Sequence, residues 1–148
     1  MVLETLITLM TRDLNKLMVE INAYRNEDKI WIIDRGIANS AGNLYLHLIG
    51  NLNTYIGAIL GHTGYIRHRD LEFSLKNIEK AQLIKRIEET LHVVISALRQ
   101  LEEKKLDEEY PVLVFDQKTS VEYMLIHLAA HLNYHLGQIN YHRRLLDE

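Results

Sequence analysis

The sequence contains no cysteine, which removes disulfides, thiolate nucleophiles, thiolate metal ligands and redox switching together. Any chemistry must come from histidines, carboxylates or hydroxyls, and the lack of cysteine suits a reducing cytoplasm. Proline occurs once and glycine seven times in 148 residues, so chain breakers are few and long helices are favoured over a turn-rich β architecture. No apolar run approaches the roughly 18 residues of a spanning helix. The opening stretch MVLETLITLMTR carries Glu4, no basic residues ahead of its apolar run and no small-residue cleavage site, so no signal peptide is expected and the protein is expected to be cytoplasmic. Surplus positive charge is also missing. Seventeen Lys and Arg against twenty Asp and Glu give a net −3, which argues against a nucleic-acid binder that works by neutralising phosphates. G-x-G-x-x-G, P-loop, G-x-S-x-G and H-E-x-x-H spacings do not occur, and with them go the nucleotide-phosphate sites, nucleophile elbows and zinc-protease helices that need them.

What is present is an ordinary globular composition, 47% hydrophobic and 25% charged, long enough for one domain over residues 1–148. Leu3, Leu6, Ile7, Met10, Leu14, Leu17, Met18 and Ile21 recur at helical spacing and predict a first helix over about residues 2–26. Ser40 sits where an N-cap would open a second helix, running to about Leu60. The stretch GHTGYIRHRDLEFSLKN, residues 61–77, reads as a long loop with Ser74 and Asn77 as caps; its interleaved charges point to solvation rather than to a nucleic-acid patch. A stripe of Leu83, Ile87, Leu91, Val94, Leu98 and Leu101 predicts a third helix from about Ile78 to Glu103. LDEEYPVLVFDQK then reads as an extended crossover, and Thr119 with Glu122 as a capping box opening a fourth helix that ends near Leu146. The expectation is all-α, a four-helix bundle whose long connections leave its order open.

Four of the eight histidines lie on the fourth helix. At about 100° per residue His131 and His135 point only 40° apart, and Met124, Leu128, Leu145 and Leu146 share or flank their sector, so these imidazoles face the core. Burying unpaired imidazoles costs a few kcal/mol. H-x-x-x-H places two of them about 6 Å apart along one helical face, from which both can converge on a cation. A third ligand must come from another helix, and His47 on the apolar second helix is the candidate. Three histidines around one ion leave positions for water or substrate, as a catalytic site does. His127, on the other side of His131, stays open between ligation in place of His135, support of a ligand, and packing. His142, nearly two turns beyond His135, reads as a capped or surface-lining residue; His92, His62 and His68 read as surface residues.

The string HLAAHLNYHLGQINYHRRLL, residues 127–146, resembles the last helix of the DinB-like (DinB/YfiT-like) metalloenzyme family. There H-x-x-x-H is followed by x-G-Q-[IL], here His131, His135, Gly137, Gln138 and Ile139. The family's remaining ligand is a histidine of its second helix, and NLYLHLIGNLNTYIGAILG supplies His47 in that place. GYIRHRDLEFS also resembles a subgroup, so the likeness covers nearly the whole chain.

The resemblance implies a bundle in up-down-down-up order, frequently a homodimer, holding a divalent ion such as Ni, Zn or Fe between helices. Members similar to this chain include S-transferases and isomerases that use low-molecular-weight thiols. Where some members use a carboxylate ligand, the corresponding positions here are all histidine. The expected function is therefore a metal-dependent enzyme acting on a small-molecule substrate, with an S-transferase acting on small electrophiles as the leading case. In that reading an ion on His47, His131 and His135 lowers the pKa of a thiol or water. Gln138 and Asn51 are expected to support the ligands, and Tyr134, Trp31 and the stretch from Tyr65 to Arg69 to line the opening. The alternative is a non-enzymatic bundle with a structural metal, closed by a fourth ligand such as His127 or His62.

Overall fold

A computed structural model describes residues 1–34 and 36–148. Its α-helices are α1 (Val2–Ala23), α2 (Ala41–Leu52), α3 (Arg69–Ser74), α4 (Lys80–Gln100) and α5 (Val121–Leu146), joined by short 3-10 turns at Glu27–Trp31 and Glu103–Asp107. Among the described residues the only strand-like pairing is one antiparallel bridge between Glu109 and Ser120, so the protein is all-helical, as its composition predicts. The described residues form five α-helices rather than four, because α3 forms inside the expected 61–77 loop. α1 and α2 each pack against both α4 and α5, and α2 also carries α3.

On α1 the buried stripe is Leu3, Leu6, Met10, Leu14, Leu17 and Ile21, the 3.6-residue spacing turned inward. α2 is apolar around its circumference and is buried on nearly every side, Ala41 through Leu48 included; a helix with no polar face has to sit in the middle. Its entry follows the predicted cap, with the Ser40 hydroxyl accepting from the Asn43 N–H at 3.1 Å. The Asn43 amide in turn donates to the carbonyls of Glu72 and Leu75 at 2.9 Å each, tying the end of α3 to the start of α2. Past Leu52 the helix continues as a π-helical turn over Asn53–Ala58, so the expected span to about Leu60 is helical in two geometries.

Several helix ends differ from expectation. α4 starts at Lys80 after Glu79, not at an Asn77 cap; Asn77 adopts φ 59°, a left-handed turn that no helix start can use. The cap of α5 is Ser120, accepting from the Tyr123 N–H at 3.1 Å, and not Thr119. The Thr119 carbonyl is engaged by the Tyr110 N–H at 2.8 Å, which holds that residue extended and moves the helix start one position on. Opposite its histidine face, α5 meets α1 through polar contacts: Asn133 donates to Asp13 at 3.1 Å, Asn140 to Glu20 at 2.6 Å, and Arg143 to Glu20 at 2.7 Å.

Candidate metal centre

α2 and α5 bring the three predicted histidines together. His131 Nε2 lies 3.1 Å from His47 Nε2 and 3.2 Å from His135 Nε2. Among the described residues these are the histidine and acidic side chains that gather closely enough to share one ion. Ligands about 2.0–2.1 Å from a tetrahedral zinc stand roughly 3.3 Å from one another, so the spacing is that of a coordination sphere.

Which nitrogen carries the proton follows from the partner on the far side of each ring. His47 Nδ1 is 3.1 Å from Glu72 Oε1, and a carboxylate only accepts, so Nδ1–H donates and Nε2 keeps its lone pair. His135 Nδ1 donates likewise to Gln138 Oε1 at 2.7 Å. His131 Nδ1 is buried with no hydrogen-bond partner among the described residues. Two lone pairs, with the third imidazole between them, therefore aim at one point. Orienting contacts of this kind fix tautomer and ring direction in metal sites.

Glu72 is the residue that the sequence reading missed. Its sequence context reads as a solvated loop, yet its exposure is 6%. α3 turns it inward onto Arg67, whose Nε and Nη2 donate to its two oxygens at 2.8 and 2.9 Å. Arg67 is itself mostly covered, with a side-chain exposure of 14%. Burial alone would raise the Glu72 carboxyl, but the bonds from His47 and Arg67 outweigh it and hold the group below its usual range. The charge alternation RHRDLE hides this pair in the sequence because only the formation of α3 separates inward from outward positions.

The remaining expectations divide. Gln138 bonds to the His135 ring; Asn51 is buried, but among the described residues its Oδ1 has no partner and it bonds to no imidazole. His127 stays outside the triad, its ring stacked 6.1 Å from that of His131 and its edge packed 4.8 Å from Phe115. Tyr134 is exposed beside His135, ring centres 5.2 Å apart, whereas Trp31 instead covers Gly42 of α2. Of the loop residues Arg67 reaches the site. His62, His68 and His92 are exposed as expected. His142 is not a surface residue: it is buried at 6%, its Nε2–H donating to the Ile32 carbonyl at 2.8 Å and its Nδ1 accepting from Tyr24 at 2.7 Å. The helical repeat carries it back to the interior, where two partners satisfy both nitrogens.

Burial lowers the pKa of His131 to about 4, assisted by the charges that His135, His47, His127 and Arg67 would present. Burial also lowers His135, against the opposing bond from Gln138, and His142, against that of Ile32. An unfolded chain binds these protons near pH 6.5, so above that value all three rings are neutral in both states and no stability is lost. Below it the unfolded chain takes up protons that the fold refuses. The melting temperature of metal-free protein should thus fall by on the order of 5 °C between pH 7 and pH 5, after discounting for partial exposure. A flat or rising melting temperature over that interval, followed by circular dichroism, would contradict these neutral imidazoles.

Among curated proteins none matches the sequence. Residues 3–148 match a family model described as protein of unknown function (DUF1572). With that match spanning nearly every residue, α2, α3 and α5 and their histidines included, the chain belongs to the DUF1572 family.

Proposed function

We propose that His47, His131 and His135 bind one divalent metal ion and that the protein is a metal-dependent enzyme of the DinB-like kind, a four-helix bundle in up-down-down-up order. The observation that carries this reading is the convergence of the three Nε2 atoms at 3.1 and 3.2 Å. The packing of α1 and α2 against both α4 and α5 supports the bundle. Imidazole ligands accept Ni, Zn and Fe alike. A divalent ion held there supplies a lowered pKa to a thiol or water, and so a nucleophile at neutral pH. The chain orients the ligands through Glu72 and Gln138, and Phe73 against His47 with Phe115 against His127 provides apolar walls. With no cysteine of its own, the protein needs a small thiol as cosubstrate if it transfers sulfur, and S-transfer to a small electrophile is the reaction class proposed.

A structural site would want a fourth protein ligand. Among the described residues no further histidine or carboxylate joins the three, which favours a site open to exchangeable water. The test begins with elemental analysis of protein purified without an affinity tag, where about one ion per chain is expected. Cobalt-loaded protein is then titrated with 2-mercaptoethanol, and a shift of the cobalt absorption is expected as the thiol enters the open position. Protein that holds no metal, even after reconstitution, would overturn the metal site; a cobalt spectrum indifferent to thiol would overturn S-transfer.

A further inference from the structure

Beyond Gln138 a cavity of about 560 Å³ opens between the C-terminal half of α5 and the chain leading into α2. That volume falls within the range of small-molecule sites. Leu44 lines it from α2, Ile37 and Ala38 from the preceding connection, and Tyr134, Tyr141 and Leu145 from α5. Ile37, Tyr134, Tyr141 and Leu145 are exposed at 39, 65, 63 and 48%. Four large apolar side chains from two separate stretches, gathered round one opening, are more than scattered surface residues.

The cavity is also anchored. His142 ties the Ile32 carbonyl to α5, and the Asp147 carboxylate accepts from the Arg25 and Asn26 N–H groups at 2.6 and 3.2 Å. Downstream of Ile37 and Ala38, the Ser40 cap fixes where α2 begins. Because these bonds are made within the chain itself, the walls are held by the fold and little ordering cost falls on binding. His135 and Gln138 both line the cavity, and the Gln138 Oε1 accepts the His135 Nδ1 proton.

We infer that this cavity binds the apolar body of a small molecule, an aromatic or branched aliphatic group, and that its occupancy is felt at the His135 ring, which borders the cavity and is held there by Gln138. The inference stands on the cavity and the Gln138 bond, and goes beyond the proposed metal chemistry. It identifies where a substrate's non-reacting part is held and what links that part to the ligand set.

The probe is N-phenyl-1-naphthylamine, a neutral dye that brightens in apolar surroundings. Titrated into the full-length protein as purified, it should bind saturably at about one molecule per chain with micromolar affinity. Ala38 is exposed, so Ala38→Trp should fill the cavity and weaken binding at least about tenfold while metal content and melting temperature stay as in the parent. A second open hollow, lined by Val2, Leu9 and Ile126, is the competing location, so Ala130→Trp, which would fill it, should leave binding unchanged. In the full chain after chelation, histidine side-chain NMR should show the His135 resonances moving on dye addition, and Ala38→Trp should abolish that movement. Absence of saturable binding, or loss of binding in Ala130→Trp but not Ala38→Trp, would overturn the site. Resonances of His135 that ignore bound dye would overturn the coupling. Both readouts are independent of metal, so dye binding to a protein that holds no ion would sink the metal reading alone.

Discussion

Replacing His131 by alanine is expected to take bound metal from about one ion per chain to none, whereas His127→Ala is expected to leave metal content unchanged. His131 is the common vertex of the cluster, in contact with both other Nε2 atoms. Without it His47 and His135 remain as a two-ligand pair. Loss of a supporting contact alone costs a metal site about 10–100-fold, and loss of a ligand should cost more. His127 lies beside His131 as a stacked ring against Phe115, so its removal takes away packing rather than coordination. The metal-free stabilities separate this outcome from misfolding. His131→Ala removes ring volume but also a buried Nδ1 that has no partner among the described residues, two effects of opposite sign. Metal-free wild type and His131→Ala should therefore melt within a few degrees of each other, and excess zinc should raise only the wild type. Metal retained by His131→Ala, measured by elemental analysis, would remove the three-histidine assignment. Metal lost equally in His127→Ala would show that the ligand set had been drawn one residue too narrowly.

The inward histidines of α5 are legible in the sequence because helical geometry is regular. A stripe of apolar residues fixes which face of α5 is inside, and the same 100° step then places His131 and His135 there without knowledge of the rest of the chain. His142 shows the limit of that reasoning. Distance along the axis suggested a residue too remote to matter, and nothing in the local pattern announced that Tyr24 and the Ile32 carbonyl, more than 100 positions away, would cover it. Glu72 and its pairing with Arg67 are illegible for a different reason. α3 has six residues, too short to show a periodicity of its own, and it exists where Asn43 of α2 receives its end. A helix held by tertiary contacts rather than by propensity leaves little trace in composition, so an ion pair between its Glu72 and the preceding Arg67 looks like any solvated charge run. The cap of α5 was displaced by one residue on similar grounds, since the Thr119 carbonyl is committed to Tyr110 across the connection.

Gly50→Ala offers the sharpest test of Glu72, because a single methyl should have the opposite effect from the usual one. Within a helix, replacing glycine by alanine normally stabilises by up to about 1 kcal/mol. At Gly50, however, a Cβ would lie 1.9 Å from Glu72 Oε2 and 2.6 Å from its Cδ, so the carboxylate would have to leave. Its departure strips His47 Nδ1 of its acceptor and leaves the partly buried Arg67 guanidinium, 3.4 Å from that nitrogen, without its counter-charge. Breaking a buried pair from one side costs about 3–5 kcal/mol, and part of that is recovered if Arg67 swings into water. A net loss of about 2–4 kcal/mol is expected, with metal affinity down about 10–100-fold as the His47 ring loses its fixed tautomer. Gly137 on α5 is the matched control, for nothing lies within 4 Å of a Cβ there. Gly137→Ala should therefore stabilise by the ordinary increment and keep full affinity. Chemical denaturation and zinc titration of the two variants side by side read both quantities. If Gly50→Ala melted and bound zinc like Gly137→Ala, the carboxylate of Glu72 would not be what holds His47 toward the ion. With Gly50→Ala weakened on both counts, the short α3 helix becomes part of the metal centre, and the small residue at position 50 is explained by the carboxylate it admits.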